Sequence, residues 1–217
     1  YTDMASPRDY KNTIVPNWCP GCGDYGIQNA ISAVCAKKGW ANEDITLISG
    51  IGCSSRIGGY QYCYGAHTTH GRALPFAQGI KCANKDQHMI VCSGDGDSYA
   101  IGLGHAMHAI KRNMDITYLV FDNQVYGLTK GQTSPASDKG FVTKTTPDGN
   151  PLTPLDAPAM ALAAGATFVA QAYAIDSKTM INVIERAVDH KGFSYVNIFT
   201  PCVTFNHLNT VQWYNEH

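Results

Sequence analysis

The sequence predicts an α/β fold: a mostly parallel sheet with helices on both faces. Short apolar runs rich in β-branched and aromatic residues recur along the chain. Stretches with helical spacing alternate with them, which is the pattern of a parallel sheet covered on both sides. The 217 residues are enough for one sizeable α/β domain with a real core. A single domain over residues 1–217 is therefore expected.

The elements follow in order. Gly26 to Lys38 reads as a helix, with Ile27, Ala30, Ile31 and Val34 on one face and Gly39 as its stop. Ile45 to Ser49 reads as a buried strand running into Gly50-Ile51-Gly52-Cys53. Arg72 to Ala83 reads as a helix despite Pro75, which can sit in a first turn. Met89 to Ser93 is a strand, Tyr99 to Arg112 a helix and Ile116 to Phe121 a strand. A polar, proline-rich loop is expected from Gln132 to Pro154. Helices at Ala157–Ala164 and Lys178–Asp189 then alternate with strands at Phe168–Ala172 and Ser194–Phe199.

Composition excludes several classes. Sixteen Lys and Arg balance seventeen Asp and Glu, so no electrostatic case exists for nucleic acid or a membrane surface. No apolar run approaches the roughly 20 residues that span a bilayer. Tyr1 to Pro16 is polar and lacks the apolar core of a signal peptide, so a cytoplasmic location is expected. In that setting eight cysteines point to metal or redox chemistry more than to disulfides. Cys35 and Cys92 sit in apolar patterns and read as small core residues. Cys63 and Cys82 have no evident role.

Ligands of open parallel sheets bind beyond the carboxyl ends of strands. Gly94-Asp95-Gly96-Asp97 follows one predicted strand and Asp122-Asn123-Gln124-Val125-Tyr126-Gly127 follows the next. Asp95 offers a carboxylate, Asn123 an amide oxygen and Val125 a backbone carbonyl, which suits the oxygen coordination of Mg²⁺. Gly94 and Gly96 permit a sharp turn that leaves backbone N–H groups open to phosphate. The helix after them adds its positive end. Either half alone reads equally well as an ordinary turn. Both together, each on a strand end, read as a site for a diphosphate and its metal.

Cys19-Pro20-Gly21-Cys22 is a C-x-x-C loop, Cys53 follows the first strand and Cys202 the last. C-x-x-C can mark core cysteines, a redox pair or a metal centre. The flanking Pro and Gly oppose the first. The absence of a core strand before Trp18 opposes the second. Spacing alone does not separate zinc from iron.

The paired Gly-Asp-Gly and Asp-Asn strings resemble those of thiamine diphosphate enzymes. The fuller string from Asp122 through Gly-Leu-Thr-Lys130 to Pro135 resembles the β subunit of 2-oxoacid:ferredoxin oxidoreductases, and Pro201-Cys-Val-Thr-Phe-Asn206 favours the bacterial 2-oxoglutarate type. That resemblance covers nearly the whole chain. It implies Mg²⁺ on Asp95, Asn123 and the Val125 carbonyl. It implies thiamine diphosphate against Ile51, Gly52, Cys53, Ser54, His70, Gly94, Gly96, Asp97, Gly127 and Leu128. Cys19, Cys22, Cys53 and Cys202 match the ligands of a 4Fe–4S cluster. His70, in His67-Thr-Thr-His70-Gly-Arg72, and Lys130 become catalytic candidates, Lys130 as an anchor for a substrate carboxylate. His67 carries little weight, since a lone loop histidine is usually solvated.

The resemblance further implies oxidative decarboxylation of a 2-oxo acid, with 2-oxoglutarate favoured over pyruvate. Coenzyme A would be the co-substrate, bound mainly by a partner chain, and ferredoxin the electron acceptor. Activation of thiamine diphosphate needs a glutamate, and the chain has only Glu43, Glu185 and Glu216, none placed for that task. An α subunit should supply that glutamate and the pyrimidine-side domain, in an (αβ)₂ heterotetramer inactive without it. Family members also continue beyond the position of His217. Two other classes stay in view: a non-redox thiamine-dependent decarboxylase subunit, and a zinc-stabilised binding module.

Overall fold

The computed structural model describes residues 5–217. In chain order its main elements are α1 (Asp24–Lys38), β1 (Ile45–Ser49), β2 (Tyr64–His67), α2 (Ala73–Ala83), β3 (His88–Gly94), α3 (Leu103–Arg112) and β4 (Ile116–Asp122). A hairpin of β5 (Val125–Tyr126) and β6 (Gln132–Thr133) follows, then α4 (Ala157–Ala163), β7 (Phe168–Tyr173), α5 (Ser177–Asp189), β8 (Phe193–Phe199) and α6 (Val211–Glu216). Six strands form one sheet in the order β2-β1-β3-β4-β8-β7, and every pairing in it is parallel.

Alternating side chains of the central strands feed two cores. Ile90, Leu119, Phe121, Val196 and Ile198 pack with Ile27, Ile31 and Val34 of α1 and Met180 and Ile184 of α5. Met89, Val91, Tyr118, Val120 and Tyr195 pack with Ala77 of α2, Ala106 and Ile110 of α3 and Ala161 of α4. Helices therefore cover both faces, as the sequence predicts. Burial of both faces is why these strands read as continuous apolar runs.

Local chemistry sets the helix ends. α1 stops at Gly39, in the left-handed region at φ 63°, with its N–H turned back to Ala36 O at 3.1 Å. The Asp176 side chain caps α5 by accepting from the Thr179 N–H, and Asp156 caps α4 in the same way from Ala159. Pro75 sits in the first turn of α2, where its missing N–H costs nothing.

Several elements depart from the sequence-based expectation. The segment after β3 is a π-helical turn, Asp97–Ile101, that precedes α3, so helical structure begins at the acidic motif itself. β2 is an added edge strand whose side chains are mostly exposed. The β5–β6 hairpin replaces the start of the long loop, and α6 follows the last strand. The loop itself is fixed by Asn150, whose Nδ2 donates to Ser137 O and Asp138 O. Among the described residues no helix is long and apolar enough to cross a membrane.

Candidate active site

The carboxyl ends of β1, β3, β4 and β8 are neighbours along one edge, and the motif residues follow them. They enclose a cavity of about 410 Å³, within the size range of cofactor sites. Ile51, Gly52, Cys53 and Ser54 line it from β1, and Gly94, Asp95, Gly96 and Asp97 from β3. Asn123, Val125, Gly127 and Leu128 line it beyond β4, and His70 closes one side. Every residue expected against the cofactor thus lies on its wall. Tyr126, Thr129 and Gln132 line it too and were not expected.

Asp95 is only 2% exposed. Its Oδ2 accepts from the Ser134 hydroxyl. Burial first, and the neighbouring Asp122 second, hold its carboxyl well above the ordinary range. Asp122 is pushed up to about 6, chiefly by burial, although Asn197 Nδ2 donates to it at 3.0 Å. A buried carboxyl with one hydroxyl partner gains by taking a cation. Gln124 stands in the left-handed region at φ 58°, a kink between Asn123 and Val125, both on the cavity wall. The oxygen donors at this wall fit a hard cation.

The turn around Gly96 is closely covered. A Cβ there would lie 2.2 Å from Tyr126 Cε1, and the Tyr126 hydroxyl donates to Gly96 O at 3.0 Å. Only glycine admits the ring, which is the signal that could have marked Tyr126. Asp97 is 2% exposed and turned toward the β1 loop, where its Oδ1 accepts from the Ile51 N–H at 3.1 Å and the Gly71 N–H at 2.7 Å.

The cysteines gather beside the cavity. Cys53 belongs to its wall, and a Cβ on Gly127 would lie 3.8 Å from Cys53 Sγ, 3.7 Å from Cys202 Sγ and 4.0 Å from Asn123 Nδ2. Cys22 N–H donates to Cys19 O at 3.0 Å, which closes the C-x-x-C turn. Trp18 Nε1 donates to Cys53 O at 2.7 Å and ties that turn to the β1 loop. Burial raises the Cys53 thiol to about 11, with the charges of Asp24, Cys202 and Cys19 adding to it. Burial raises Cys22 as well, with Asp24, Cys202 and Cys53 contributing. The four thiols therefore feel one another. Among the described residues no three Cys, His, Asp or Glu side chains close on a single ion. Thiolates are the usual ligands of both zinc and iron–sulfur clusters, and a set of four suits either.

One expected residue, Lys130, lies elsewhere. Lys130 is exposed on the hairpin turn at φ 78° and is not on the cavity wall, although its neighbour Thr129 is. His67 also lies off the wall, with Nδ1 3.1 Å from Ser49 Oγ. None of the three glutamates lines the cavity. Glu185 is paired with Lys37 at 2.6 Å, and Glu43 and Glu216 are exposed.

Comparison with known proteins agrees with this geometry. Residues 50–198 match the family described as thiamine pyrophosphate enzyme, C-terminal TPP binding domain. The chain is 43% identical over 202 residues to the 2-oxoacid:ferredoxin oxidoreductase subunit beta of Saccharolobus solfataricus, covering 92% of this chain and 66% of that one. It is 43% identical over 206 residues to the 2-oxoglutarate synthase subunit KorB of Archaeoglobus fulgidus, covering 94% and 77%. A solved structure of 2-oxoglutarate:ferredoxin oxidoreductase from Magnetococcus marinus, with 2-oxoglutarate, coenzyme A and succinyl-CoA bound, superposes with a TM-score of 0.97 at 43% identity, covering 99% of this chain and 74% of that one. The chain thus spans 66% of the length of the Saccharolobus relative, just under two thirds. By its motifs, its fold and these matches, the chain belongs to the thiamine pyrophosphate enzymes and, among them, to the 2-oxoacid:ferredoxin oxidoreductase β subunits.

Proposed function

We propose that this chain is the diphosphate-side half of a 2-oxoacid:ferredoxin oxidoreductase that oxidatively decarboxylates 2-oxoglutarate to its coenzyme A thioester. One observation carries the reading: Gly127 faces Cys53, Cys202 and Asn123 at once, so the cysteine group and the cation wall share one boundary. A redox centre beside a diphosphate site serves oxidative chemistry, and a non-redox decarboxylase has no use for it.

Asp95, Asn123 and the Val125 carbonyl would hold Mg²⁺ and, through it, the diphosphate. Backbone N–H groups of the turn around Gly94 and Gly96 would receive the phosphate oxygens. Cys19, Cys22, Cys53 and Cys202 would hold a 4Fe–4S cluster. Thiamine diphosphate, when bound, supplies a stabilised carbanion to the 2-oxo carbon. The chain's own share is grip and placement: Ile51 and Leu128 give apolar walls, and His70 offers a ring nitrogen to the bound group. Lys130, on the turn beside Thr129, would meet a substrate carboxylate at the rim. The activating glutamate would come from an α subunit in an (αβ)₂ assembly, since no glutamate of this chain reaches the cavity. The partner would also hold most of coenzyme A, ferredoxin would take the electrons, and the site of action would be the cytoplasm. Residues 1–217 act in this reading as one domain.

The test is steady-state reduction of ferredoxin by the assembled complex, with thiamine diphosphate, Mg²⁺ and coenzyme A. A higher kcat/KM with 2-oxoglutarate than with pyruvate is expected. Preference for pyruvate would overturn the substrate, and absence of iron from the purified complex would overturn the redox reading.

A further inference from the structure

We propose that Asp97 is a positioning residue that fixes the proton of His70 on Nδ1, so that Nε2 is the nitrogen His70 turns toward the group bound in the cavity. The proposal rests on the reading of that cavity as the cofactor site. His70 lines the cavity and its side chain is 37% exposed, yet its Nδ1 is fully buried. The exposed part of the ring is therefore the Nε2 side. Nδ1 lies 2.7 Å from Asp97 Oδ1 and has no other polar partner. The ring stands off the line of a full hydrogen bond. The last torsion of histidine is broad, so the ring can turn toward that line.

The carboxylate is held far more firmly than the ring. Its Oδ1 already takes the N–H groups of Ile51 and Gly71. Its Oδ2 fills the space over Gly50, where a Cβ would lie 1.8 Å from it. The His70 backbone is fixed from the other side. Gly71 has φ +68° and no room for a side chain, since a Cβ would meet Gly102 N at 2.7 Å. The π-helical turn thus clamps the His70–Gly71 segment against the residue that begins that turn. Asp97 Oδ1 already accepts from two backbone N–H groups, so it meets the ring as an acceptor and the nitrogen facing it carries the proton. In neutral imidazole the other nitrogen is then an acceptor. Asp97 also lines the cavity, and the proposed action on the bound group runs through this ring. Its role is the choice of tautomer and the direction of Nε2.

The test uses the full ¹⁵N-labelled chain. Long-range ¹H–¹⁵N correlation of the His70 ring is recorded where the imidazole is neutral, and the signal is assigned by its loss in His70→Gln. The expected result is a protonated Nδ1 and a bare Nε2. A protonated Nε2 overturns the proposal. Asp97→Asn keeps an oxygen for the two backbone N–H groups and removes the charge. It is expected to shift the tautomer toward Nε2–H. In the assembled complex it should lower kcat by roughly 10- to 100-fold, the usual cost of losing an orienting partner. Adding Asp97→Asn to His70→Gln should cost nothing more, because both remove the same interaction. Additive losses would place the action of Asp97 elsewhere and overturn the proposal. Should Asp97→Asn fail to fold, the spectrum of the unmodified chain still decides. Failure of the unmodified chain to bind thiamine diphosphate with Mg²⁺ would sink the cofactor reading alone and leave the tautomer result standing.

Discussion

Cys53 and Cys202 face the same hydrogen of Gly127: a methyl placed there would touch Cys53 Sγ at 3.8 Å and Cys202 Sγ at 3.7 Å. One residue reports from the β1 side of the sheet and the other from the β8 side. The contact that joins them lies on the wall of the cavity.

Gly127→Ala is therefore a clean probe of the cluster. The new methyl meets the sulfurs at ordinary van der Waals distance, so the metal-free chain should lose less than about 1 kcal/mol. The same methyl intrudes between thiols that would have to hold iron. Bound iron per chain should fall by half or more, with the melting temperature of the metal-free chain nearly unchanged. Full iron content would contradict the assignment of these cysteines.

Gly96→Ala should behave in the opposite way. Its Cβ would overlap the Tyr126 ring, and overpacking of this kind costs ~1–3 kcal/mol. Tyr126→Ala in the same chain should restore the melting temperature. Calorimetry of thiamine diphosphate binding would show whether the turn has recovered its shape as well.

Asp95→Asn separates stability from binding. A buried carboxylate next to Asp122 is unfavourable without a cation. The neutral amide should raise the melting temperature of the metal-free chain. It should also weaken Mg²⁺-dependent thiamine diphosphate binding by about tenfold or more, since a charged ligand to the metal is lost. A variant that is both less stable and fully competent to bind would refute this placement of the cation.

The pH dependence follows from three buried carboxyls. Burial raises Asp24 to about 7 and Asp122 to about 6, each from 3.8, and lifts Asp95 well above that value. Between these limits the folded chain keeps protons that the unfolded chain has released. Unfolding there releases protons, so stability falls as pH rises through the window. His88 and His105, held below 6.5 by burial, work the other way, but they are far less buried. Thermal melts of the metal-free chain should show a lower melting temperature at pH 8 than at pH 5. Mg²⁺ with thiamine diphosphate should shrink the difference, because the cation favours ionised Asp95.

Lys130→Ala tests the rim. Loss of one charge-assisted bond, worth ~1.5–3 kcal/mol, should raise KM for 2-oxoglutarate about tenfold or more in the assembled complex. Iron content and thiamine diphosphate affinity should stay as they are, since the side chain lies off the cavity wall. An unchanged KM would remove Lys130 from the substrate site.

The fold was legible where burial is two-sided. β1, β3, β4 and β8 are buried along nearly their whole length because helices cover both faces, so apolar residues dominate them, and β1 spans the residues expected. β2 escaped because it is an exposed edge with no apolar run. The β5–β6 hairpin escaped because its strands have two residues each and only turn chemistry marks them. In the site, glycine turns and strand-end acids were readable from local pattern. Tyr126 was not, because its place over Gly96 arises only when two strand ends come together. The pairing of His70 with Asp97 and of Asp95 with Ser134 likewise joins segments far apart in sequence.

In the sheet, β3 and β4 separate β1 from β8. Strands lie ~4.8 Å apart, so β1 and β8 are three spacings from each other, yet Cys53 and Cys202 meet at one point beside Gly127, and the two loops must close that gap. Neighbouring strands rotate by ~20–25° relative to one another, and that rotation accumulates across the sheet. Where the two loops meet therefore depends on the twist of the scaffold as well as on the loops themselves. A cavity-forming substitution deep in the core, such as Leu119→Ala, would shift Cys53 and Cys202 relative to each other without touching either loop.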